Sequence, residues 1–154
     1  MQREYFNYCI RNAKERDSLN QDELLDDIVT QIRNELDEQV DFIVLFGSMS
    51  TGNTHPQSDI DIGVQVSNPK KELQTIFGDL LSLFDYVDKE NSPKIDVTLL
   101  NLADLTLQYR VVRDGKLLYT KNDKVWPCFQ EYVLVRYPDW EYYIQNYLKQ
   151  SLGA

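Results

Sequence analysis

The sequence predicts an α/β (α+β) protein in which helices flank a small mixed sheet, and three observations support this fold class. Two short apolar runs at 42–46 and 62–64 bracket a loop rich in turn-forming residues. Such runs, with β-branched and aromatic side chains, are typical of strands. A third run follows at 95–100. Apolar residues at helical spacing precede, separate and follow the runs, so we expect a helical N-terminal extension and a helical C-terminal segment.

The N-terminal part is predicted to form two amphipathic helices, the first over residues 3–16. The second is expected to begin at Asn20, because Asn20 and Glu23 have the spacing of a capping box. A single apolar stripe then marks the face that packs on the domain, and it consists of Leu24, Leu25, Ile28, Val29, Ile32 and Leu36.

The stretch 41–66 contains the first functional pattern, in which Asp59 and Asp61 alternate with Ile60 and Ile62. In a strand, residues i and i+2 project from the same face, so the two carboxylates point the same way. Two carboxylates on one face repel each other unless a cation lies between them. Mg²⁺ is typically held by one or two carboxylates together with the phosphate oxygens of a substrate. The pattern therefore predicts a metal site.

The turn at Gly47-Ser48 supplies the second pattern, since it directly follows the apolar run 42–46. A glycine after a strand lets the backbone approach a ligand closely. A small hydroxyl residue that opens the next segment leaves free N–H groups, which suit a phosphate. Turn, loop and paired carboxylates together predict a metal-assisted nucleotide site.

Gly-Ser followed after ten residues by Asp-x-Asp resembles the signature of the polymerase β-like nucleotidyltransferases, and Gly47, Ser48, Asp59 and Asp61 fit that spacing. The short chain most resembles the minimal nucleotidyltransferases that serve as antitoxins to HEPN-domain toxins. That family has a third carboxylate on a later strand. The resemblance assigns this role to Asp96, within the apolar run that ends the central part of the chain.

The resemblance implies an enzyme that transfers adenylate (AMP) from Mg-ATP to a tyrosine hydroxyl of a cognate HEPN RNase toxin and so neutralises it. The partner would form a hetero-oligomer with this chain. The implied catalytic residues and metal ligands are the same three, Asp59, Asp61 and Asp96, with two Mg²⁺ ions expected. The residues expected to bind the nucleotide are Gly47, Ser48, Thr51 and Ser58.

Thr51 marks a departure, because many relatives carry an arginine at this position, just before the loop glycine. Threonine can hydrogen-bond a phosphate but cannot neutralise it, which leaves nucleotide affinity and choice open. Two other functions are weighed against the enzyme. One is a catalytically weak binding module that neutralises the toxin by complex formation. The other is an antibiotic nucleotidyltransferase, which is disfavoured because such enzymes usually carry a larger C-terminal domain.

Beyond the acidic pair, Asn68-Pro69 predicts the start of a helix that continues to Phe84, with asparagine as N-cap and proline at the first helical position. This helix crosses back to the strand of Asp96. The remaining predicted elements are a short helix at 102–111, a turn at Asp114-Gly115, an edge strand at 117–119 and a helical segment at 122–152 with a break near Tyr137-Pro138.

Length and composition fit one domain, 1–154, divided into N-terminal helices (1–38), a catalytic core (41–119) and a C-terminal helical segment (122–152). The net charge of −9 argues against polymeric nucleic acid, which Lys and Arg must neutralise, and suits a basic protein partner. No apolar run is long enough for a bilayer and the start does not resemble a signal peptide, so a cytoplasmic protein without membrane contact is expected.

Cys9 and Cys128 lack the spacing of a zinc or redox site and are expected to be packed thiols. His55, the only histidine, lies in the loop before the acidic pair and is left off the catalytic set. The C-terminal segment is rich in aromatic residues. They fit core packing and partner contact equally well.

Overall fold

The apolar runs form strands and the apolar stripes form helices in the computed structural model, which describes residues 19–52, 58–85 and 93–152. In chain order the elements within these ranges are α1 (Leu19–Leu36), β1 (Val40–Phe46), β2 (Ile60–Val66), α2 (Leu73–Phe84), β3 (Ile95–Leu99), α3 (Leu105–Asp114), β4 (Lys116–Thr120) and α4 (Val125–Leu152). Short 3₁₀ turns lie at Asp37–Gln39, Gly47–Met49 and Leu100–Leu102.

The four strands form one mixed sheet in the order β3-β2-β1-β4. Strand β1 is antiparallel to both β2 and β4, whereas β2 and β3 are parallel. A parallel pair needs a crossover connection, and α2 provides it. The predicted mixed sheet flanked by helices is confirmed, and so is the edge position of the strand after Gly115.

Strand β1 divides the core, because successive side chains point to opposite faces of the sheet. Ile43 and Leu45 join a buried cluster with residues of α1 and α2. Phe42 and Val44 point the other way, to a second cluster that includes residues of α3 and α4. The ring centroids of Phe42 and Trp126 are 4.9 Å apart, in an edge-on arrangement. Helix α4 is therefore anchored to the sheet at its N-terminal end.

Helix α1 follows the predicted apolar stripe closely. Leu24, Leu25, Ile28, Ile32 and Leu36 are buried, and Val29 packs against the same cluster while partly exposed. The prediction that Asn20 is the N-cap is wrong, because the helix already includes Leu19. The helix predicted over residues 3–16 lies outside the described residues.

Helix α2 begins at Leu73, so the prediction of a start at Asn68-Pro69 is wrong. Asn68 has a φ of 47°, a left-handed conformation that asparagine tolerates better than most residues. Side chains near the end of α1 and in β1 hold this segment: the Lys70 N–H donates to Gln39 Oε1 at 2.6 Å, and the Ser67 hydroxyl donates to a carboxylate oxygen of Asp41. These bonds hold the segment outside the helix, which begins four residues later than predicted.

Helix α3 is displaced from its predicted range, 102–111, toward the C-terminus. Residues 100–102 form a 3₁₀ turn instead. Asp104 then acts as the N-cap, since its Oδ1 accepts a hydrogen bond of 2.7 Å from the Leu107 N–H. Gly115 ends the helix where the turn was predicted, with its N–H donating to the Val111 carbonyl at 2.9 Å.

Helix α4 is continuous through Pro138, so the predicted break is wrong. Proline cannot donate to the carbonyl of Leu134. Leu134 is 51% exposed, so it lies on the solvent-facing side of the helix. Contacts with α3 hold both sides of the proline: the Tyr137 ring stacks on Tyr109 at 3.7 Å between centroids, and Trp140 Nε1 donates to the Thr106 hydroxyl at 3.0 Å.

The cysteine prediction is wrong for Cys128, which is exposed rather than packed. Cys9 and His55 lie outside the described residues. Within the three described ranges, no helix combines the length and apolar composition that crossing a bilayer requires.

Candidate active site

A tight turn at the end of β1 forms one wall of the site. Gly47 has a φ of +73°, a left-handed conformation that favours glycine, and it opens the 3₁₀ turn Gly47–Met49. The Ser50 hydroxyl donates to the Gly47 carbonyl at 2.8 Å, and the Thr51 hydroxyl donates to the Ser48 carbonyl at 3.2 Å. These two hydroxyls fix the turn. Ser48 is exposed, so its own hydroxyl faces solvent.

The turn lies directly against the acidic pair. A Cβ placed on Gly47 would overlap the Oδ2 atom of Asp61 and approach its Cγ to 3.0 Å. Phe46 and Asp61 are register partners in the antiparallel β1–β2 ladder, which explains this proximity. Gly47 and Asp61, fourteen positions apart in the sequence, therefore meet at one end of the sheet.

Asp61 and Asp96 are directly opposite each other in the parallel β2–β3 ladder. Register partners project from the same face, here the face that also carries Phe42 and Val44. Asp59 lies immediately before β2 and is exposed. The carboxylates predicted on two separate strands thus lie side by side.

The surroundings of Asp61 disfavour its ionised form. Its partial burial raises its pKa above the ordinary value, and the nearby negative charges of Asp96 and Asp59 raise it further. The positive charge of Lys94 acts in the opposite direction. Lys94 Nζ lies 2.8 Å from Asp96 Oδ2, and this hydrogen bond is the main reason that the pKa of Lys94 is raised.

The donor set fits a magnesium ion. Carboxylate oxygens are the hard ligands that Mg²⁺ prefers, and this ion is usually bound by one or two carboxylates plus substrate phosphates rather than by an all-protein cage. A cation beside Asp61 would also offset the like charges that raise its pKa. Among the residues that the structure describes, no three acidic, histidine or cysteine side chains form a complete metal cluster. The set of Asp59, Asp61 and Asp96 as joint ligands stays a prediction.

The other predicted site residues have different positions. Thr51 is exposed, and its hydroxyl is used within the turn. Ser58 is half-buried beside Asp59. Lys94 is the residue that the sequence reasoning missed. Its position two residues before Asp96 was the available signal, because strand periodicity places both side chains on one face.

Comparison with known proteins agrees with this geometry. The family model described as Polymerase beta, Nucleotidyltransferase matches residues 28–124, well over half of the 154-residue chain. The protein adenylyltransferase MntA of Aphanizomenon flos-aquae is 35% identical over 98 residues. That match covers 60% of this chain and 65% of the relative, so it spans slightly less than two thirds of the relative's length.

Solved structures show the same fold at low identity. A chain from the crystal structure of a toxin–antitoxin with AMP-PNP superposes with a TM-score of 0.61 at 23% identity, covering 81% of this chain and 96% of that one. A chain from the complex of tri-AMPylated Shewanella oneidensis HEPN toxin with MNT antitoxin superposes with a TM-score of 0.59 at 20% identity. The match covers 85% of this chain and 98% of that one. The family model covers both motifs and the sheet that carries them. This chain therefore belongs to the polymerase β nucleotidyltransferase family.

Proposed function

We propose that this chain is an antitoxin that transfers AMP from Mg-ATP to a tyrosine hydroxyl of a partner HEPN RNase toxin. One observation carries the proposal: the Gly47 turn contacts the Asp61 carboxylate, and Asp61 lies opposite Asp96. A phosphate-type turn and a pair of carboxylates thus share one end of the sheet. The related proteins support the same activity, since one is named a protein adenylyltransferase and another is an MNT antitoxin in complex with an AMPylated HEPN toxin.

The turn after β1 would receive the triphosphate. Gly47 brings the backbone close to the acidic pair, and Ser48 offers an exposed hydroxyl. Thr51 acts through the turn, because its hydroxyl holds the Ser48 carbonyl. Ser58, next to the acidic pair, completes the proposed nucleotide-binding set. Positioning of this kind carries much of the catalysis in phosphoryl-transfer enzymes.

The carboxylates divide the remaining work. Asp59, Asp61 and Asp96 would hold Mg²⁺ (one ion, or two as in two-metal sites), which would offset the charge of the triphosphate and lower the pKa of the acceptor hydroxyl. Asp61 is held by its strand and by the Gly47 contact. Asp96 comes from a separate strand, which suits contact with the acceptor side of the reaction.

The proposed reaction is an in-line displacement at the α-phosphorus of ATP. The tyrosine oxygen attacks the α-phosphorus of ATP, and the bond between this phosphorus and the bridging oxygen to the β-phosphate breaks. AMP is then esterified to tyrosine, and pyrophosphate leaves with the electron pair of that bond. The hydroxyl proton passes to a carboxylate, and we assign Asp96 as this base.

The partner surface would lie on the C-terminal segment, residues 122–152. Helix α4 exposes several aromatic rings, with Tyr142 70% and Tyr143 61% exposed. Tyrosine is enriched at protein interfaces. The net charge of −9 would speed association with a basic partner. Residues 41–119 would then form the catalytic core. A cytoplasmic setting, where ATP and Mg²⁺ are available, fits this division.

A catalytically weak binding module is the second candidate, and one observation favours it. The turn from Gly47 to Gly52 contains no lysine or arginine that would neutralise a triphosphate. Such a module would silence the toxin by forming the complex alone. The two candidates differ in one outcome: only the enzyme consumes ATP.

Labelled ATP separates the candidates. The chain is mixed with a HEPN-type partner protein, Mg²⁺, and ATP that carries the label on either the α- or the γ-phosphate. We expect label on the partner from α-labelled ATP and none from γ-labelled ATP. Transfer of the γ-label would identify a phosphoryl transferase. If the toxin loses its RNase activity on mixing with this chain and no label is transferred, the result favours the binding module.

A further inference from the structure

Lys94 is fixed to the segment that carries the acidic pair. Its backbone carbonyl accepts a hydrogen bond of 2.8 Å from the Ile60 N–H. Ile60 stands between Asp59 and Asp61, so this one bond ties Lys94 to the peptide units that present both carboxylates. The position of Lys94 beside the site is therefore set by the main chain, and its side chain extends from there to Asp96.

The strand register places Lys94 within a group of four charged side chains. Ile60 pairs with Ile95 and Asp61 with Asp96, and the same register continued by one residue sets Asp59 opposite Lys94. Asp96 and Lys94 are two residues apart on one strand, so both project from the face of Asp61. The Lys94 Nζ lies 2.8 Å from Asp96 Oδ2, and the negative charges of Asp59 and Asp61 also act on this ammonium group.

Stabilisation of the fold is a poor account of this ion pair. The Lys94 and Asp96 side chains are 66% and 43% exposed. Exposed ion pairs contribute little to folding stability. The effect of the pair is instead local. The Lys94 ammonium is hydrogen-bonded to an oxygen of Asp96, a proposed metal ligand, and its positive charge acts on Asp59 and Asp61.

We propose that Lys94 is a positioning residue that orients Asp96 in the metal-free site and competes with a divalent cation for this carboxylate. The inference rests on the proposed function, which makes Asp96 a metal ligand. An ammonium and a divalent cation cannot approach the same oxygens without repulsion. Lys94 therefore keeps the affinity of the nucleotide-free site for metal low. The anionic phosphates of a bound nucleotide offer the displaced ammonium another partner.

Titration with Mn²⁺ tests this competition without any turnover. Electron paramagnetic resonance counts free Mn²⁺ in nucleotide-free samples of the parent protein and of Lys94→Met, Lys94→Arg and Asp61→Asn. Lys71→Met serves as the matched control, because Lys71 also pairs with an aspartate on the surface, at 2.7 Å from Asp79 Oδ2. Circular dichroism checks that each variant is folded.

The proposal predicts that Lys94→Met binds Mn²⁺ about two- to fivefold more tightly than the parent, the range expected when an exposed ion pair is removed. Lys94→Arg and Lys71→Met should bind like the parent, and Asp61→Asn much more weakly. If Asp61→Asn weakens binding while Lys94→Met leaves it unchanged or weaker, the role of Lys94 is wrong and the acidic site stands. If Asp61→Asn binds Mn²⁺ like the parent, the metal site of the proposed function fails, and the Lys94 proposal fails with it.

Discussion

Gly47 and Gly52 offer a matched pair of substitutions that isolates the contact between the turn and the acidic pair. Both glycines have left-handed backbones, with φ of +73° and +77°. A Cβ on Gly47 would overlap the Asp61 carboxylate, whereas a Cβ on Gly52 would meet no atom of the described residues within 4 Å. Gly47→Ala and Gly52→Ala therefore share the backbone strain and differ in the collision.

The expected magnitudes separate the two effects. A left-handed conformation costs a residue with a Cβ roughly 1–2 kcal/mol. For a chain of this size this corresponds to a fall in Tm of about 2–8 °C in both variants. The collision adds a displacement of Asp61, and a misplacement of about 1 Å at a reacting centre can lower the rate by roughly a hundredfold. Only Gly47→Ala should show that loss.

Thermal unfolding and AMP transfer to the partner, measured on the same protein preparations, provide the assay. We expect both variants to unfold at a lower temperature than the parent and only Gly47→Ala to lose most of its transfer activity. Equal activity losses in both variants would assign the defect to backbone strain. Parental activity in Gly47→Ala would show that the Gly47–Asp61 contact has no part in the site.

Two further predictions concern stability and partner binding. Burial and like charges raise the pKa of Asp61 above its unfolded value, so its ionisation opposes folding as the pH rises from the unfolded pKa, and fully so above the folded pKa. Asp61→Asn should therefore raise Tm at pH 7.5, with a smaller gain at pH 4.5. A lower Tm of this variant at pH 7.5 would contradict the prediction. Exposed Tyr143 should contact the partner, whereas Trp140 supports α4 through Thr106. In calorimetry, Tyr143→Ala should weaken the complex about tenfold or more with little change in Tm, as at interface hot spots. Trp140→Ala should lower Tm. Unchanged affinity in Tyr143→Ala would exclude this ring from the interface.

The central sheet could be predicted from the sequence because short-range patterns decide it. Residue alternation alone places Asp61 and Ile62 on opposite faces, and the β-branched runs have few alternatives to a strand. The register of Asp61 with Asp96 and the contact with Gly47 needed the structure, since both join residues from separate elements. Asp59 and Asp61 were predicted as metal ligands from their spacing, whereas Asp96 was identified only through resemblance to a family. A shared face was predicted only for Asp59 and Asp61.

Two of the wrong predictions share a physical cause, which is that tertiary contacts outweighed local propensity. Pro138 continues α4 because stacking of Tyr137 on Tyr109 holds the helix against α3. Asn68 and Pro69 form a start signal for a helix, but bonds to Gln39 and Asp41 draw the neighbouring residues toward β1. A sequence pattern contains no information on such distant partners.

The most direct test of the account is mass spectrometry of the partner protein after incubation with Mg-ATP and Asp96→Asn. An interaction made mainly in the transition state lowers turnover and leaves ground-state affinity nearly unchanged. We therefore expect this variant to bind Mg²⁺–AMP-PNP within a few-fold of the parent in calorimetry. The parent should add the mass of AMP to a partner tyrosine, and Asp96→Asn should add none. Modification of the partner by Asp96→Asn at the parental rate would contradict the assignment of the third carboxylate and the paired-carboxylate mechanism.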